Sequence, residues 1–322
     1  MILIVTNKQD THADEVIKSL AIRSVDIFRL NTEDILSKYK IELELEPNGW
    51  HGIIIDEQGR ALNIDDLRVA WLRKPEFDFN HTSTLHPDIA SFVSSETKAF
   101  IDTLYSIPTI KWINDPFIAR KKKIKFQQLL LAKEYGVGVP RTLITNCPDV
   151  AGKFFSDCGE EILLKTIYTG NVTIDGLNRG IPSRRIGKSN FHKFIQNIGI
   201  SPTQLQEYIP KAFELRVTVI GNRVFSVKIE SQLHEETKTD WRLDTKLNPH
   251  SCFELPIRIE KFCQKFLAQQ KLDFGAMDFI VTPKGDYVFL ENNPYGQYLW
   301  LEIETGAPLT EAMCDLLVSH IH

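Results

Sequence analysis

The sequence lacks most of the features that would assign a protein quickly. Its five cysteines, Cys147, Cys158, Cys252, Cys263 and Cys314, are scattered, odd in number and never spaced as CxxC. That excludes a disulfide or zinc framework and fits reduced thiols in a cytoplasmic protein. No basic segment followed by an apolar one opens the chain, and no run approaches the roughly 20 apolar residues of a membrane span. Positive charge is not in excess, since 38 Lys and Arg meet 42 Asp and Glu. A protein built mainly to hold nucleic acid or anionic lipid is therefore not expected. The nine histidines have no metal-ligand spacing and no evident serine or cysteine nucleophile beside them, which disfavours hydrolytic triad chemistry. The first strand candidate is not followed by GxGxxG, so no dinucleotide site is read there. Repeats and low-complexity tracts are absent.

What is present suffices for a large core. The 322 residues are 43% hydrophobic, enough for two or three domains. The start reads as βαβ, with strands at Met1–Thr6 and Asp26–Leu30 around helical periodicity at Asp14–Ala21. Ile41–Glu46 and Gly52–Asp56 follow as a meander around Asn48-Gly49, and Arg68–Leu72 as a further strand. Pro87–Leu104 is a long helix, and Lys111–Ile113 is a terminal strand closed by Asn114-Asp115-Pro116. Phe117–Tyr135 is predicted as one helix ending at Gly136, Asp149–Asp157 as another, and Glu161–Thr166 as a strand ending in Lys165. Thr169–Lys188, with Gly170, Gly176, Gly180 and Gly187, is expected to be a mobile loop or loose hairpin. Leu205–Ile209 leads into a hairpin of Phe213–Ile220 and Arg223–Glu230 turning at Gly221-Asn222. Ser231–Ser251 is polar and reads as a functional loop, followed by helices at Pro256–Gln270 and Leu309–Val318.

The segment Gly275–Gly296 carries the most chemistry. Met277–Thr282 and Tyr287–Glu291 are β-rich runs flanking the turn signal Pro283-Lys284-Gly285-Asp286. With Lys284-Gly285 as a two-residue tip, Asp278 falls directly opposite Glu291, and Asn293 follows on the same face. Facing carboxylates about 5 Å apart repel unless a cation lies between them. Such a pair more often faces water, but Phe279, Val281, Val288 and Leu290 around it make this hairpin internal. Two carboxylates and an amide oxygen are hard donors suited to Mg²⁺, which keeps places for water and substrate phosphate. Lys165, at the end of an apolar strand beside a glycine-rich loop, can set an ammonium on a phosphate. Glu214 and Arg216 alternate onto one face of a strand. A structural ion pair on an exposed strand is the plain alternative for those two.

In order, the stretches Lys125-Phe-Gln-Gln-Leu129, Pro140-Arg-Thr142, Leu164-Lys165, Gln206-Glu-Tyr-Ile209, Glu214-Leu-Arg216, Asp240-Trp-Arg242, Gly275…Asp278 and Glu291–Trp300 resemble the ATP-grasp superfamily. Within it the chain looks most similar to the microviridin-type maturases, which crosslink graspetide precursors. The resemblance implies an α/β ATP-grasp fold in three parts: an N-terminal βαβ pre-ATP-grasp domain over residues 1–116, a central α+β domain over 117–207, and a C-terminal antiparallel-sheet domain over 208–322. It implies ATP and a pair of Mg²⁺ ions as cofactors, the metal held by Asp278, Glu291 and Asn293. Lys125 and Lys165 would meet the phosphates, with Lys123 competing for the first role. Glu207, Tyr208 and Ile209 would read the adenine edge through their backbone, and Glu214 the ribose, although the family more often has Asp there. Arg216 could meet phosphate or a substrate carboxylate bidentately, and Arg242 would stabilise the acyl phosphate and its departing phosphate. For Arg179, Arg184 and Arg185 a solvated loop is the plainer expectation, and Trp241 is expected to anchor its loop. Arg73-Lys74-Pro75 resembles a basic-Pro element of the first domain, with no role assigned.

The implied activity is ATP-dependent ligation of Asp or Glu side chains of a precursor peptide, giving intramolecular esters or amides. A leader-bearing peptide rich in Thr and Asp/Glu is the implied partner, and a homodimer the implied assembly. The alternatives are a ligase of free amino acids or of glutamate onto a protein, and a non-catalytic nucleotide-binding protein.

Overall fold

The computed structural model describes residues 1–77, 84–167, 171–174, 177–244 and 247–321. The N-terminal region contains β1 (Ile2–Thr6), α1 (Thr11–Ile22), β2 (Ile27–Asn31), β3 (Tyr39–Glu46), β4 (Gly49–Asp56), β5 (Ala61–Asn63), β6 (Val69–Leu72), α2 (Pro87–Tyr105) and β7 (Lys111–Ile113). Four strands form a parallel sheet in the order β2-β1-β6-β7, while β3, β4 and β5 form a separate antiparallel meander. Its first turn is Pro47-Asn48, between the paired residues Glu46 and Gly49. Because β1 and β6 are covered on both faces, they are apolar and buried almost throughout.

The middle of the chain contains α3 (Pro116–Lys122), α4 (Lys125–Glu134), β8 (Thr142–Thr145), α5 (Pro148–Asp157), β9 (Glu161–Lys165), β10 (Asn171–Ile174), β11 (Leu177–Gly180), β12 (Arg184–Gly187), α6 (Lys188–Ile195) and β13 (Thr203–Glu207). A four-stranded antiparallel sheet runs β12-β9-β13-β8, and α5 and α6 cover it through stacked Phe155 and Phe191, 3.8 Å between ring centroids. Two expectations are corrected here. The helix expected over Phe117–Tyr135 is two helices, because Ile124 is extended (ψ 102) and breaks the run. The region Thr169–Lys188, expected as a mobile loop or loose hairpin, holds the hairpin β10–β11 and, beyond that expectation, the sheet strand β12 and the start of α6. Gly170 and Gly176 lie outside the described residues.

The C-terminal region contains β14 (Phe213–Ile220), β15 (Arg223–Ile229), β16 (His250–Cys252), α7 (Ile257–Gln270), β17 (Phe274–Val281), β18 (Tyr287–Asn293), α8 (Leu299–Thr305) and α9 (Leu309–Val318). Its sheet is antiparallel in the order β16-β15-β14-β17-β18. One face packs Leu215, Val217, Met277, Phe279 and Phe289 against α7. The helices α8 and α9 return to the N-terminal sheet, where Tyr298, Leu309, Met313 and Leu317 share a core with Ile2, Ile4, Val69 and Trp71. Arg23 reinforces that closure by pairing with Asp315 at 2.7 Å. Among the described residues, no helix is long and apolar enough to cross a membrane.

Candidate active site

The hairpin β17–β18 reaches the expected pairing by an unexpected route. Its tip is three residues, Pro283-Lys284-Gly285, bracketed by the Thr282 N–H to Asp286 carbonyl bond at 2.9 Å. Gly285 takes the left-handed φ of 84° that closes such a loop. A regular ladder from that tip would set Leu290 against Asp278. Instead the register shifts between Asp278 and Phe279, leaving Leu290 as the extra residue and Glu291 opposite Asp278. This bulge re-aims an acidic side chain into the site.

Arg216, Asp278 and Glu291 thereby occupy partner positions on three neighbouring strands, on the sheet face away from α7. An Arg216 Nη1–H donates to Asp278 Oδ1 at 2.9 Å, and Lys125 Nζ lies 3.0 Å from Glu291 Oε2. Arg242 Nη1 approaches Glu291 to 3.9 Å while its guanidinium clasps Asp240 with bonds of 2.8 and 2.7 Å. The row alternates in charge at its ends but places two acids side by side at its centre. Burial pushes the Asp278 carboxyl up, with Glu291 adding to the shift and Arg216 opposing it. Burial acts on Glu291 in the same sense, but Lys125, Lys165 and Arg242 overcome it and hold that carboxyl down. Burial also lowers the Lys165 pKa, against the pull of Glu291.

The strand opposite the expected plain reading is not exposed: Glu214 and Arg216 sit in the middle of the sheet and are buried. Their ion pairs are with other residues, Glu214 with Lys211 at 2.8 Å and Arg216 with Asp278. Lys211, which the sequence did not single out, also donates to the Thr239 carbonyl at 3.0 Å. Pro140, Lys165, Glu207, Ile209, Glu214, Trp241 and Asp278 line one narrow slot, which Glu291 closes. The Glu207 N–H is already bonded to the Arg141 carbonyl at 3.0 Å, so it is spent on the sheet. Among the described residues, the N–H groups of Tyr208 and Ile209 meet no protein acceptor. The Tyr208 ring lies under the Arg185 guanidinium at 4.1 Å, and Arg185 also binds Glu161 at 2.7 Å. Arg185 is thus a strand residue with two partners, not a loop residue, and its side chain remains exposed. Trp241 is buried against Trp300, centroids 5.2 Å apart, and does anchor its loop.

The slot opens into a cleft of about 750 Å³ bordered by Lys125, Lys165, Arg242, Glu291 and Asn293. Asn293 Oδ1 accepts the Tyr295 N–H at 3.0 Å, which leaves a second lone pair on that oxygen. Asp278, Glu291 and Asn293 offer only oxygen donors, and the facing acids gain by a shared divalent cation, so the set fits Mg²⁺. It is an open set: among the described residues, no three His, Cys, Asp or Glu side chains gather as a metal cage.

Side chains from other elements hold the backbone of the segment that follows Glu291. Gln128, 2% exposed on α4, accepts the Asn292 N–H at 2.8 Å and donates to the Asn292 carbonyl at 2.9 Å. It mimics a neighbouring strand, one turn along the helix from Lys125. Asn114 donates to the Pro294 and Phe274 carbonyls at 3.0 and 2.8 Å, and Arg73 donates to the Tyr295 carbonyl at 2.7 Å. Gly275 lets the strand pass close to the buried Asn292 side chain, whose Oδ1 a Cβ there would strike and force to move. A glutamine inside a helix gives no sequence signal of such a clasp.

A family model described as the MvdD pre-ATP grasp domain matches residues 1–120. No curated protein matches the chain. Among solved structures, the Chryseobacterium gregarium RiPP-associated ATP-grasp ligase, in complex with ADP and a leader and core peptide, is 24% identical, with a TM-score of 0.92 over 99% of this chain and 96% of that one. The macrocyclase MdnC from Microcystis aeruginosa MRC, bound with precursor peptide MdnA, is 26% identical, with a TM-score of 0.88 over 99% of both chains. The macrocyclase MdnB from the same organism is 25% identical, with a TM-score of 0.79 over 98% of both. The fold and the matches define an ATP-grasp ligase. Within that class, the chain is similar to the macrocyclases MdnC and MdnB, and its residues 1–120 match the MvdD pre-ATP grasp domain.

Proposed function

We propose that this chain activates Asp or Glu side chains of a ribosomal precursor peptide with ATP and closes them into intramolecular esters or amides. The observation that carries the reading is the row Arg216–Asp278–Glu291–Lys125, set between a narrow slot and an open basic cleft. Adenine enters the slot against the free N–H groups of Tyr208 and Ile209, and the ribose lies toward Glu214. Lys125 and Lys165 take the phosphates, the first because it already reaches Glu291. Asp278, Glu291 and Asn293 would hold Mg²⁺, one ion or two, which when bound would supply positive charge against the phosphate oxygens.

A peptide carboxylate oxygen attacks the γ-phosphorus, ADP leaves, and an acyl phosphate results. A Thr or Ser hydroxyl, or a Lys amine, then attacks the acyl carbon, loses its proton and expels phosphate. Each link removes one water from the peptide. Arg242 is poised for the phosphate that departs, because its guanidinium faces Glu291 while Asp240 fixes its orientation. Arg216 holds Asp278 ionised for the cation. The protein supplies position, charge and exclusion of water, and no nucleophile of its own.

The peptide partner follows from the similar ligases, which are bound to leader and core or precursor peptides. The homodimer rests on likeness of fold alone, and the cytoplasmic location on five free thiols. The test is to combine the protein, ATP, Mg²⁺ and candidate precursors and to follow peptide mass and ADP. Loss of one water per link is expected; ADP release with peptide mass unchanged would sink the ligase reading.

A further inference from the structure

The cleft has more positive charge than the proposed nucleotide chemistry uses. Five cationic side chains and two carboxylates line it, in a protein whose formal net charge is −4. Two of the cations are already matched: Arg242 by Asp240, and Lys125 by Glu291. Lys165 lines both the slot and the cleft, and the proposed function gives it to the phosphates. Two lysines remain, Lys74 and Lys123, both exposed, and among the described residues neither has a carboxylate within 4.0 Å. They come from different parts of the chain. Lys74 follows β6 of the parallel sheet, and Lys123 sits at the break between α3 and α4.

The two lysines border the cleft together with Tyr295, two residues beyond Asn293. Lys123 Nζ lies 4.6 Å from the centroid of the Tyr295 ring, which holds the ammonium over an aromatic face without neutralising it. The Tyr295 carbonyl is fixed by Arg73, the residue before Lys74. One short network therefore ties this basic rim to the segment that carries the proposed metal ligands. An unneutralised pair of ammonium groups at the mouth of a reaction cleft attracts an anion and orients it.

We propose that Lys74, Lys123 and Tyr295 form a carboxylate-binding subsite that captures acidic side chains of the peptide substrate. The subsite delivers one carboxylate toward the phosphates and holds neighbouring acids of the same peptide at the mouth. The inference rests on the ligase reading and names the part of the cleft that recognises the substrate. It also separates the two lysines that the sequence left in competition: Lys125 serves the nucleotide, Lys123 the peptide.

The experiment uses the full chain with saturating Mg·ADP and a fluorescein-labelled synthetic peptide rich in Thr, Asp and Glu, beside its Asn/Gln counterpart. Anisotropy is expected to give the acidic peptide at least about tenfold tighter binding to the wild type. Lys74→Met with Lys123→Met is expected to erase that preference, with Mg·ADP affinity unchanged by calorimetry. Lys123→Arg should restore most of it, as a charge-keeping control. Retention of the acidic preference in the double variant, or a parallel loss of Mg·ADP affinity, would overturn the proposal. Because binding is read without turnover, it stands apart from the ligase reading. A wild type that prefers the acidic peptide but never removes water from any precursor keeps the subsite and loses the ligase.

Discussion

The parallel sheet near the N-terminus and the five-stranded antiparallel sheet near the C-terminus are both internal, yet only the second carries a row of charge. In the first, Ile2, Leu3, Ile4 and Val5 are all buried, because α1, α8 and α9 cover one face and α2 with the meander covers the other. A sheet covered on both sides has no place for an unpaired carboxylate. In the second, one face packs on α7, and the other is free to line a cleft. Alternation along β14 and β17 then sends Leu215, Val217, Met277 and Phe279 inward and Arg216 and Asp278 outward. The difference teaches where this molecule can place chemistry: on the sheet whose second face borders a cleft along part of its length instead of a continuous apolar layer.

The sharpest way to break that contrast is Glu291→Ala. Turnover should fall at least about a thousandfold, roughly 4 kcal/mol of transition-state stabilisation, with the melting temperature nearly unchanged. A folded variant with full activity in an ADP-release assay would remove Glu291 from the metal set. Lys165→Ala should weaken ATP binding by about ten- to a hundredfold, the value of a lost charge-assisted contact. Calorimetric titration checks it, and an unchanged affinity takes this lysine out of the nucleotide site.

Gln128→Met tests whether the charged row depends on its buried support. It leaves both polar groups of the Asn292 backbone without their present partner, at a cost of about 1–3 kcal/mol in stability. The KM for Mg·ATP should rise with it, because Lys125 and Glu291 lose their shared reference. Denaturant titration beside steady-state kinetics separates the two effects; a stability loss with unaltered KM would make Gln128 purely structural.

The smallest expected effect lies on the parallel-sheet side. His12 Nε2 accepts the N–H groups of Tyr298 and Leu299 at 3.0 and 3.1 Å, so the ring must be neutral at that nitrogen. Burial holds the His12 pKa below its ordinary 6.5; Asp10 opposes that shift and Arg73 adds to it. The unfolded chain therefore protonates first as pH falls, and the stability His12 contributes is present above about pH 6.5 and declines below it. His12→Gln should flatten the dependence of stability on pH between about 6.5 and 5. Melting curves across that range measure it, and an unchanged slope would assign the acid sensitivity elsewhere, His250 beside Glu304 included.

Much of the fold was legible because it is local. The βαβ start follows from short apolar runs around helical periodicity, and the Gly221-Asn222 turn from its residue types. The single helix expected over Phe117–Tyr135 failed because apolar periodicity continues through Ile124 while the backbone does not. Within Thr169–Lys188 a hairpin was one of the two readings, but the sheet strand β12 was missed, because glycine and polar residues conceal pairing that β9 supplies from outside. The face-to-face acids were expected from a two-residue tip. The structure produces them with a three-residue tip and a compensating bulge, two errors of register that cancel.

By itself, the sequence determined which side chains alternate onto a common face, since a strand's period of two is set by its own backbone. It also supplied the donor types, acids and an amide in one hairpin with a lysine ending a distant strand. Only the tertiary structure decided what those groups meet. Lys125 reaches Glu291, Gln128 stands in for a strand beside Asn292, and the last helices close the first sheet. Contacts between residues so far apart in the chain depend on how the elements pack, and no local pattern encodes that.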